Sequence, residues 1–200
     1  MRTIGITGGV GAGKSYLLDY IKENYNVIIW KADEVANKLQ GKNMPCYELI
    51  IKLLGNEVLN QDLTINKVKM ADIIFHKPLL LSQVNAIVHP AVKSYVLSQI
   101  DIVSKANICD FFILEAALLL EDHYDEILDE IWYIYADEAT RTLRLKNARN
   151  YSDDKINAIM NKQLSHKEFQ NKCKITIENT GDSAFLYEQV DRILGGYLHE

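Results

Sequence analysis

A glycine-rich run near the start of the chain has the residue types and spacing that phosphate binding requires. It consists of Gly8, Gly9, Val10, Gly11, Ala12, Gly13, Lys14 and Ser15. These residues fit G-x-x-x-x-G-K-[ST], the P-loop pattern, at every fixed position. Glycines let the backbone aim successive N–H groups at an anion, and a helix that begins near Lys14 would add its positive N-terminal end. The run therefore predicts a phosphate cradle, which we call the P-loop (residues 8–15).

The polar residues that close the P-loop have distinct expected roles. Lys14 can reach the β- and γ-phosphates of a nucleotide, and Ser15 can offer its hydroxyl to Mg²⁺. The predicted nucleotide-binding residues here are Gly8, Gly9, Gly11, Ala12, Gly13, Lys14, Ser15 and Tyr16.

Composition narrows the class of protein. The chain has 200 residues, of which 48% are apolar and 24% are charged, as is usual for a soluble globular protein. No apolar run approaches the ~20 residues that cross a bilayer, and Lys14 interrupts any signal-peptide core. We therefore expect a cytoplasmic protein that has no membrane partner.

Charge and cysteine usage exclude further classes. The net charge of −5 argues against a nucleic-acid partner, because such proteins usually carry a basic surface. The three cysteines, Cys46, Cys109 and Cys173, include no Cys-x-x-Cys pair. They are expected to be reduced thiols rather than a disulfide framework or a zinc site.

Short apolar runs alternate with helical patterns along the chain. The predicted strands are Arg2–Thr7, Val27–Trp30, Ile108–Leu114, Ile131–Tyr135 and Lys174–Glu178. Helices are predicted between them, including Lys14–Glu23 after the first strand and Ser183–Leu198 at the end. Strands separated by helices indicate an α/β fold around a parallel sheet.

Two helical segments interrupt this rhythm. The first carries predicted helices over Met44–Leu54, Asn66–Phe75 and Leu79–Lys105, the last of which is expected to break or kink at His89 because Pro90 follows. The second runs from Glu138 to about Lys172. Its basic residues are Arg141, Arg144, Lys146 and Arg149. They fit either a lid over the sheet or a solvated surface.

The sequence lacks the motifs of P-loop GTPases. The guanine motif Asn-Lys-x-Asp fails, because Asn66 and Lys67 are followed by Val68 and Lys69, and no Asp is followed by Gly three residues later. A short chain with a helical insertion and a basic lid favours a small-molecule kinase, in which closure excludes water.

Further segments match one known family in order. They are Ile4–Gly11, Ala32–Ala36, Gly55 with Leu59, Phe75, His89-Pro90, Leu118–Glu121, Arg144 with Gln163, and Ile177–Gly181. In these residues the chain resembles the dephospho-coenzyme A kinase family almost from end to end. The departures from the family pattern are Lys31 for Asp, Tyr16 for Thr, Ala117 for Pro, Lys67 for Arg, Lys174 for Asp, and Arg149 one place late. They concern substrate contacts more than the chemistry.

The resemblance implies a fold and an activity. The fold is a three-layer P-loop kinase fold with a five-stranded parallel sheet, a helical acceptor-binding insertion at 34–105 and a helical lid at 138–172. The nucleotide-binding core would comprise 1–33, 106–137 and 173–200. The activity is transfer of the γ-phosphate of ATP, with Mg²⁺, to the ribose 3′-hydroxyl of dephospho-CoA. The alternatives are a nucleoside or nucleotide monophosphate kinase and a non-catalytic ATP-binding module.

Catalytic roles also follow from the resemblance. Asp33 is the predicted base, although it could instead cap a helix that begins at Glu34; residue 36 is Ala, so no capping box supports that alternative. Lys14 and Arg144 are the other predicted catalytic residues. Arg141, one turn earlier, could assist, although either arginine could also pair with a surface carboxylate.

The remaining predicted contacts lie at two turns and in the insertion. Asn179 and Gly181 are predicted to line the adenine of ATP, although Asn and Gly also favour a simple turn. Thr7, Asp33 and His89 are the predicted acceptor contacts, although His89 could equally mark a helix break.

Overall fold

A five-stranded sheet lies at the centre of the computed structural model, which describes residues 1–75 and 77–199. Its strands are β1 Arg2–Thr7, β2 Val27–Lys31, β3 Phe111–Glu115, β4 Glu130–Tyr135 and β5 Ile175–Glu178. Their order is β2-β3-β1-β4-β5, and β1 pairs in parallel with both β3 and β4. The predicted parallel sheet is confirmed. Strands β1, β3 and β4 are buried along nearly their whole length, as expected for a sheet covered on both faces.

Helices fill the connections between the strands. Within the described residues they are α1 Lys14–Asn24, α2 Ala32–Leu39, α3 Tyr47–Leu54, α4 Lys67–Phe75, α5 Pro78–Ala106, α6 Glu138–Arg149, α7 Asp153–Met160, α8 His166–Lys172 and α9 Ser183–Leu198. Across residues 1–75 and 77–199, none of these helices has the length and apolar character needed to span a membrane.

Helix α5 corrects one expectation, because it continues through Pro90 rather than breaking at His89. Valines recur every four residues on one side of the helix, and all of them are buried: Val84, Val88, Val92 and Val96. This stripe crosses the position of Pro90, so packing on both sides stabilises the helix against the hydrogen bond that proline removes.

The chain forms two compact units. The first comprises residues 1–30 and 103–199 and contains the sheet. Its core joins β-strand residues such as Ile4 and Trp132 to the buried faces of α1 and α9, for example Leu17 and Val190. Helices α1 and α9 therefore cover one face of the sheet.

The second unit comprises residues 31–75 and 77–102. Buried residues of α2 and α3, such as Leu39 and Ile50, contribute to its apolar interior. Lys38 Nζ donates a hydrogen bond to the Tyr95 hydroxyl at 2.6 Å, and the Tyr47 hydroxyl donates one to the carbonyl of Leu63. The first contact joins α2 to α5, and the second joins α3 to the segment that precedes α4.

The segment predicted as one helical stretch after β4 contains three separate helices. Asp137, Ser152 and Ser165 each accept a backbone N–H at the start of α6, α7 and α8, respectively. Ser165 and Glu168 form a full capping box. Each cap satisfies backbone donors that a continuous helix would have used, so the caps determine where the chain turns.

A buried carboxylate lies at the amino end of β4. The side chain of Glu130 is fully buried, accepts hydrogen bonds from Tyr197 at 2.6 Å and Trp132 at 2.9 Å, and lies 2.9 Å from Lys174 Nζ. Burial alone would raise the pKa of Glu130, but these donors together hold that pKa below its ordinary value. Lys174, which departs from the family pattern, therefore has a structural partner.

We expect Glu130→Gln to lower the free energy of unfolding at pH 7 by about 1–3 kcal/mol, because the charge-assisted hydrogen bonds are weakened. Since the folded-state pKa of Glu130 is depressed, its contribution is present above its ordinary pKa. That contribution is lost as the pH falls through the folded-state pKa. Denaturant titrations of both proteins at pH 7 and at successively lower pH should therefore show a difference that shrinks with acidity.

The exposed Glu188 on α9 offers a matched control for this experiment. Glu188→Gln should change stability by less than about 0.5 kcal/mol. A Glu130→Gln effect that stays constant with pH would contradict the assignment.

Candidate active site

The P-loop connects β1 to α1 at the carboxyl edge of the sheet, and two of its glycines are required by the backbone. Gly8 has φ 148°, and a Cβ there would lie 2.4 Å from the carbonyl oxygen of Ile134. Gly13 has φ 90°, and a Cβ there would lie 2.2 Å from Asn179 Nδ2. A larger residue at position 8 would clash with the backbone of β4, and one at position 13 would displace the Asn179 side chain and adopt a strained backbone angle.

The start of α1 is suited to an anion. Its N-cap residue is Gly13, and no side chain caps the helix. Gly13 has no side chain with which to cap these first-turn N–H groups, and the helix dipole places positive potential at the same point. The observed P-loop thus fits a polyphosphate ligand.

Lys14 extends its side chain back over the P-loop. Its Nζ donates a hydrogen bond to the carbonyl of Gly8 at 2.9 Å and lies 3.8 Å from Glu115 Oε1. The Lys14 and Glu115 side chains are only 14% and 21% exposed, so their attraction is weakly screened. The ammonium group is thereby held within the cradle that the predicted phosphates would occupy.

Glu115 is a site residue to which the sequence reasoning gave no role. It is the last residue of β3 and pairs in register with Ile6 of β1, two residues before the P-loop. An acidic residue that ends a buried strand was the available signal, because parallel strands place their carboxyl ends at one edge. Its carboxylate and the exposed Ser15 hydroxyl are hard oxygen donors of the kind that Mg²⁺ prefers.

Tyr16 forms part of an aromatic stack beside the P-loop. Its ring lies 5.8 Å from that of Tyr187, the two hydroxyls share a hydrogen bond, and Tyr187 stacks on Tyr20 at 3.8 Å. Tyr16 therefore connects α1 to α9 through its side chain. Its role in nucleotide binding stays a prediction.

The basic residues of α6 differ in their distance from the P-loop. Arg144 Nη1 lies 3.5 Å from the carbonyl oxygen of Gly11 and 3.4 Å from that of Ala12. Arg141 makes shorter contacts, with Nε donating to the carbonyl of Val10 at 2.9 Å. Arg149 ends α6 with its guanidinium 5.9 Å from the Tyr151 ring. Sequence reasoning ranked Arg144 first, whereas the structure brings Arg141 closer to the backbone of the P-loop.

The turn after β5 touches the P-loop through one side chain. Asn179 Nδ2 donates to the carbonyl of Ala12 at 2.7 Å, and its backbone N–H donates to Tyr135 at 2.7 Å. Asn179 is 5% exposed, whereas Gly181 is exposed. Asn179 is thus part of the wall of the cradle, and the adenine contacts predicted for both residues remain predictions.

The predicted acceptor residues lie in different surroundings. Thr7 is fully buried, and its hydroxyl donates a hydrogen bond to the carbonyl of Ala117 at 3.4 Å. His89 is half-buried in the middle of α5. The acceptor roles of Thr7 and His89 stay predictions.

Asp33 lies within the first turn of α2, and its side chain is exposed. Helix α2 begins at Ala32 with Lys31 as its N-cap residue, so the alternative that Asp33 caps a helix starting at Glu34 is wrong. Lys31 itself lies 3.7 Å from the Glu34 carboxylate. Asp33 is therefore left without the structural role that competed with its predicted function.

A parallel sheet with this strand order, a P-loop between β1 and α1, and a lysine held over that loop define a P-loop kinase. The similar solved structures have the same fold. A Thermus thermophilus protein has a TM-score of 0.80 at 23% identity, and dephospho-CoA kinase from Campylobacter jejuni has a TM-score of 0.65 at 20% identity; each alignment covers 98% of this chain and 97% of the other.

Sequence comparison gives the family. A family model for dephospho-CoA kinase matches residues 2–184. A dephospho-CoA kinase of Streptococcus pyogenes serotype M1 is 31% identical over 192 residues, which cover 96% of this chain and 95% of the relative. The chain belongs to the dephospho-CoA kinase family, as its motifs predicted.

Proposed function

We propose that this chain transfers the γ-phosphate of ATP to the 3′-hydroxyl of the ribose of dephospho-CoA, giving coenzyme A and ADP. Membership of the dephospho-CoA kinase family across residues 2–184 is the observation that carries the proposal. The uncapped start of α1 and the Lys14 ammonium group held over the P-loop support it, because phosphoryl transfer depends on positioning and charge stabilisation.

Asp33 and Lys14 have complementary proposed roles. A bond forms between the ribose 3′-oxygen and the γ-phosphorus, and the bond from that phosphorus to the β,γ-bridging oxygen breaks. Asp33 orients the hydroxyl and accepts its proton. Its carboxylate is exposed in the first turn of α2 and does not cap that helix. Lys14 and the P-loop amides stabilise the negative charge on the migrating phosphoryl group.

The metal and the remaining nucleotide contacts belong to the same proposal. Ser15 and Glu115 would hold Mg²⁺, directly or through water. The ion would neutralise charge on the phosphate oxygens. Arg144 would add a second positive charge from α6, 3.4 Å from the carbonyl of Ala12. Asn179 and Gly181 would line the adenine. The protein would act on these small-molecule substrates in the cytoplasm, as the sequence predicts.

An acceptor-dependent assay tests the proposal. ADP release from Mg·ATP is measured with dephospho-CoA, AMP, adenosine or no acceptor. We expect turnover only with dephospho-CoA. Turnover with AMP or adenosine instead would favour a nucleotide or nucleoside kinase. ATP binding without turnover on any acceptor would favour a non-catalytic module.

A further inference from the structure

The backbone of Val10, within the P-loop, is held at its N–H and at its carbonyl by two side chains. Arg141 Nε donates to the Val10 carbonyl at 2.9 Å, and the Val10 N–H donates to Gln163 Oε1 at 3.2 Å. Arg141 Nη2 closes the ring by donating to the same Gln163 oxygen at 2.6 Å. We call these three residues the Val10 clamp.

Close packing on both sides of Val10 accompanies the clamp. A Cβ at Gly9 would lie 2.5 Å from Arg141 Cζ, and a Cβ at Gly11 would lie 3.0 Å from the Arg141 carbonyl oxygen. The glycines that flank Val10 thus allow α6 to lie directly against the P-loop. The clamp therefore depends on both glycines, because a side chain at either would clash with Arg141.

The clamp also concentrates positive charge beside the P-loop. Both hydrogen-bond acceptors of the guanidinium, a peptide carbonyl and an amide oxygen, are uncharged. Arg141 is half-buried, so water screens its charge less than at an exposed site. A phosphate in the cradle would therefore experience this charge together with that of Lys14.

We propose that Arg141 and Gln163 are positioning residues that hold the P-loop in its phosphate-binding conformation through the backbone N–H and carbonyl of Val10, with Arg141 adding charge. The inference rests on the nucleotide-binding part of the proposed function. Gln163 lies between α7 and α8, more than 150 residues after Val10, so the clamp also connects the predicted lid to the P-loop.

The test measures the dissociation constant of Mg·ADP by titration calorimetry. Arg141→Gln should raise it at least about tenfold, because a charge-assisted hydrogen bond is lost. Gln163→Leu should raise the dissociation constant by a smaller factor. The double variant should bind Mg·ADP no more weakly than Arg141→Gln alone, because each substitution breaks the same ring of contacts. Arg141→Lys keeps the charge but has a single nitrogen in place of the planar guanidinium, which uses two nitrogens in the clamp, so its affinity should lie between those of Arg141→Gln and the original chain.

A second readout does not depend on nucleotide. Hydrogen exchange of the Val10 amide should be faster in Gln163→Leu than in the unsubstituted chain, because its acceptor has been removed. Arg192→Gln, at an exposed position on α9, is the control and should change neither quantity. If Arg141→Gln proves too unstable to titrate, as a thermal melt would show, Gln163→Leu carries the test, because it removes no charge.

The outcomes separate the inference from the proposed function. Unchanged Mg·ADP affinity in Arg141→Gln and Gln163→Leu would overturn the clamp while leaving the kinase proposal intact. A strictly additive double variant would also overturn it. If the unsubstituted chain failed to bind Mg·ADP, the proposed function itself would fail and the clamp with it.

Discussion

Replacing Lys14 by Met is expected to lower kcat by about 10²–10³-fold, the loss typical of removing one preorganised donor to developing charge. The ammonium group is held 2.9 Å from the Gly8 carbonyl and 3.8 Å from Glu115, so its charge lies within the P-loop before any phosphate binds. Methionine has similar length and no charge. Steady-state kinetics with Mg·ATP and dephospho-CoA, together with a thermal melt, measure the effect in a folded protein.

Lys22 provides the control for this prediction. It lies in the last turn of α1 and is exposed, so Lys22→Met removes the same charge from the same helix at its opposite end. We expect its kcat to stay within about twofold of the original. A Lys14→Met variant that retained nearly full turnover would show that the charge of Lys14 does not stabilise the transferred group.

Asp33→Asn is expected to lower kcat by about 10²–10⁴-fold, the range for a positioned general base. Asparagine has nearly the same shape but cannot accept the hydroxyl proton as a carboxylate does. Asp33 is exposed and does not cap α2, so the substitution should leave folding unchanged. Asp33 also lies outside the P-loop, so Mg·ATP affinity should stay the same. Single-turnover kinetics at saturating dephospho-CoA and a nucleotide titration separate the two effects.

The neighbouring Glu34 gives a matched comparison for Asp33. Its carboxylate is exposed and lies 3.7 Å from Lys31, a surface pair of small expected energy. Glu34→Gln should keep turnover within about twofold. Equal losses in the two variants would point to an electrostatic effect of α2 as a whole, and normal turnover in Asp33→Asn would remove Asp33 from the mechanism.

The ends of a strand could be predicted where its apolar run coincides with the strand, as in β1, but not at β3. Strand β1 has the predicted bounds, whereas β3 begins at Phe111 rather than Ile108. Ile108 is 60% exposed, and the Asp110 N–H donates to the carbonyl of Asn26 before the strand begins. An apolar residue outside the sheet cannot be distinguished by type from one inside it, so the start was misplaced. The predicted end of the strand, Leu114, lies one residue before the observed end at Glu115.

Helix boundaries in the lid segment were predictable in principle. Asp137, Ser152 and Ser165 are standard N-cap types, and Ser165 precedes Glu168 at capping-box spacing. The continuity of α5 was not predictable from Pro90. It depends on buried packing of the valine stripe that begins at Val84, and tertiary packing overrides local preference there.

The sequence by itself determined the P-loop motif, the family, and the succession of strands and helices along the chain, because each depends on residue types and spacings that can be read along the chain. Gly8 and Gly13 permit the backbone angles of the P-loop, and Lys14 follows at a fixed spacing. Only the tertiary structure decided what surrounds the cradle. Glu115, Arg141 and Gln163 reach it from 100 or more residues away, because β1 lies between β3 and β4 in the sheet. Such contacts depend on strand order and helix packing, which no local pattern specifies.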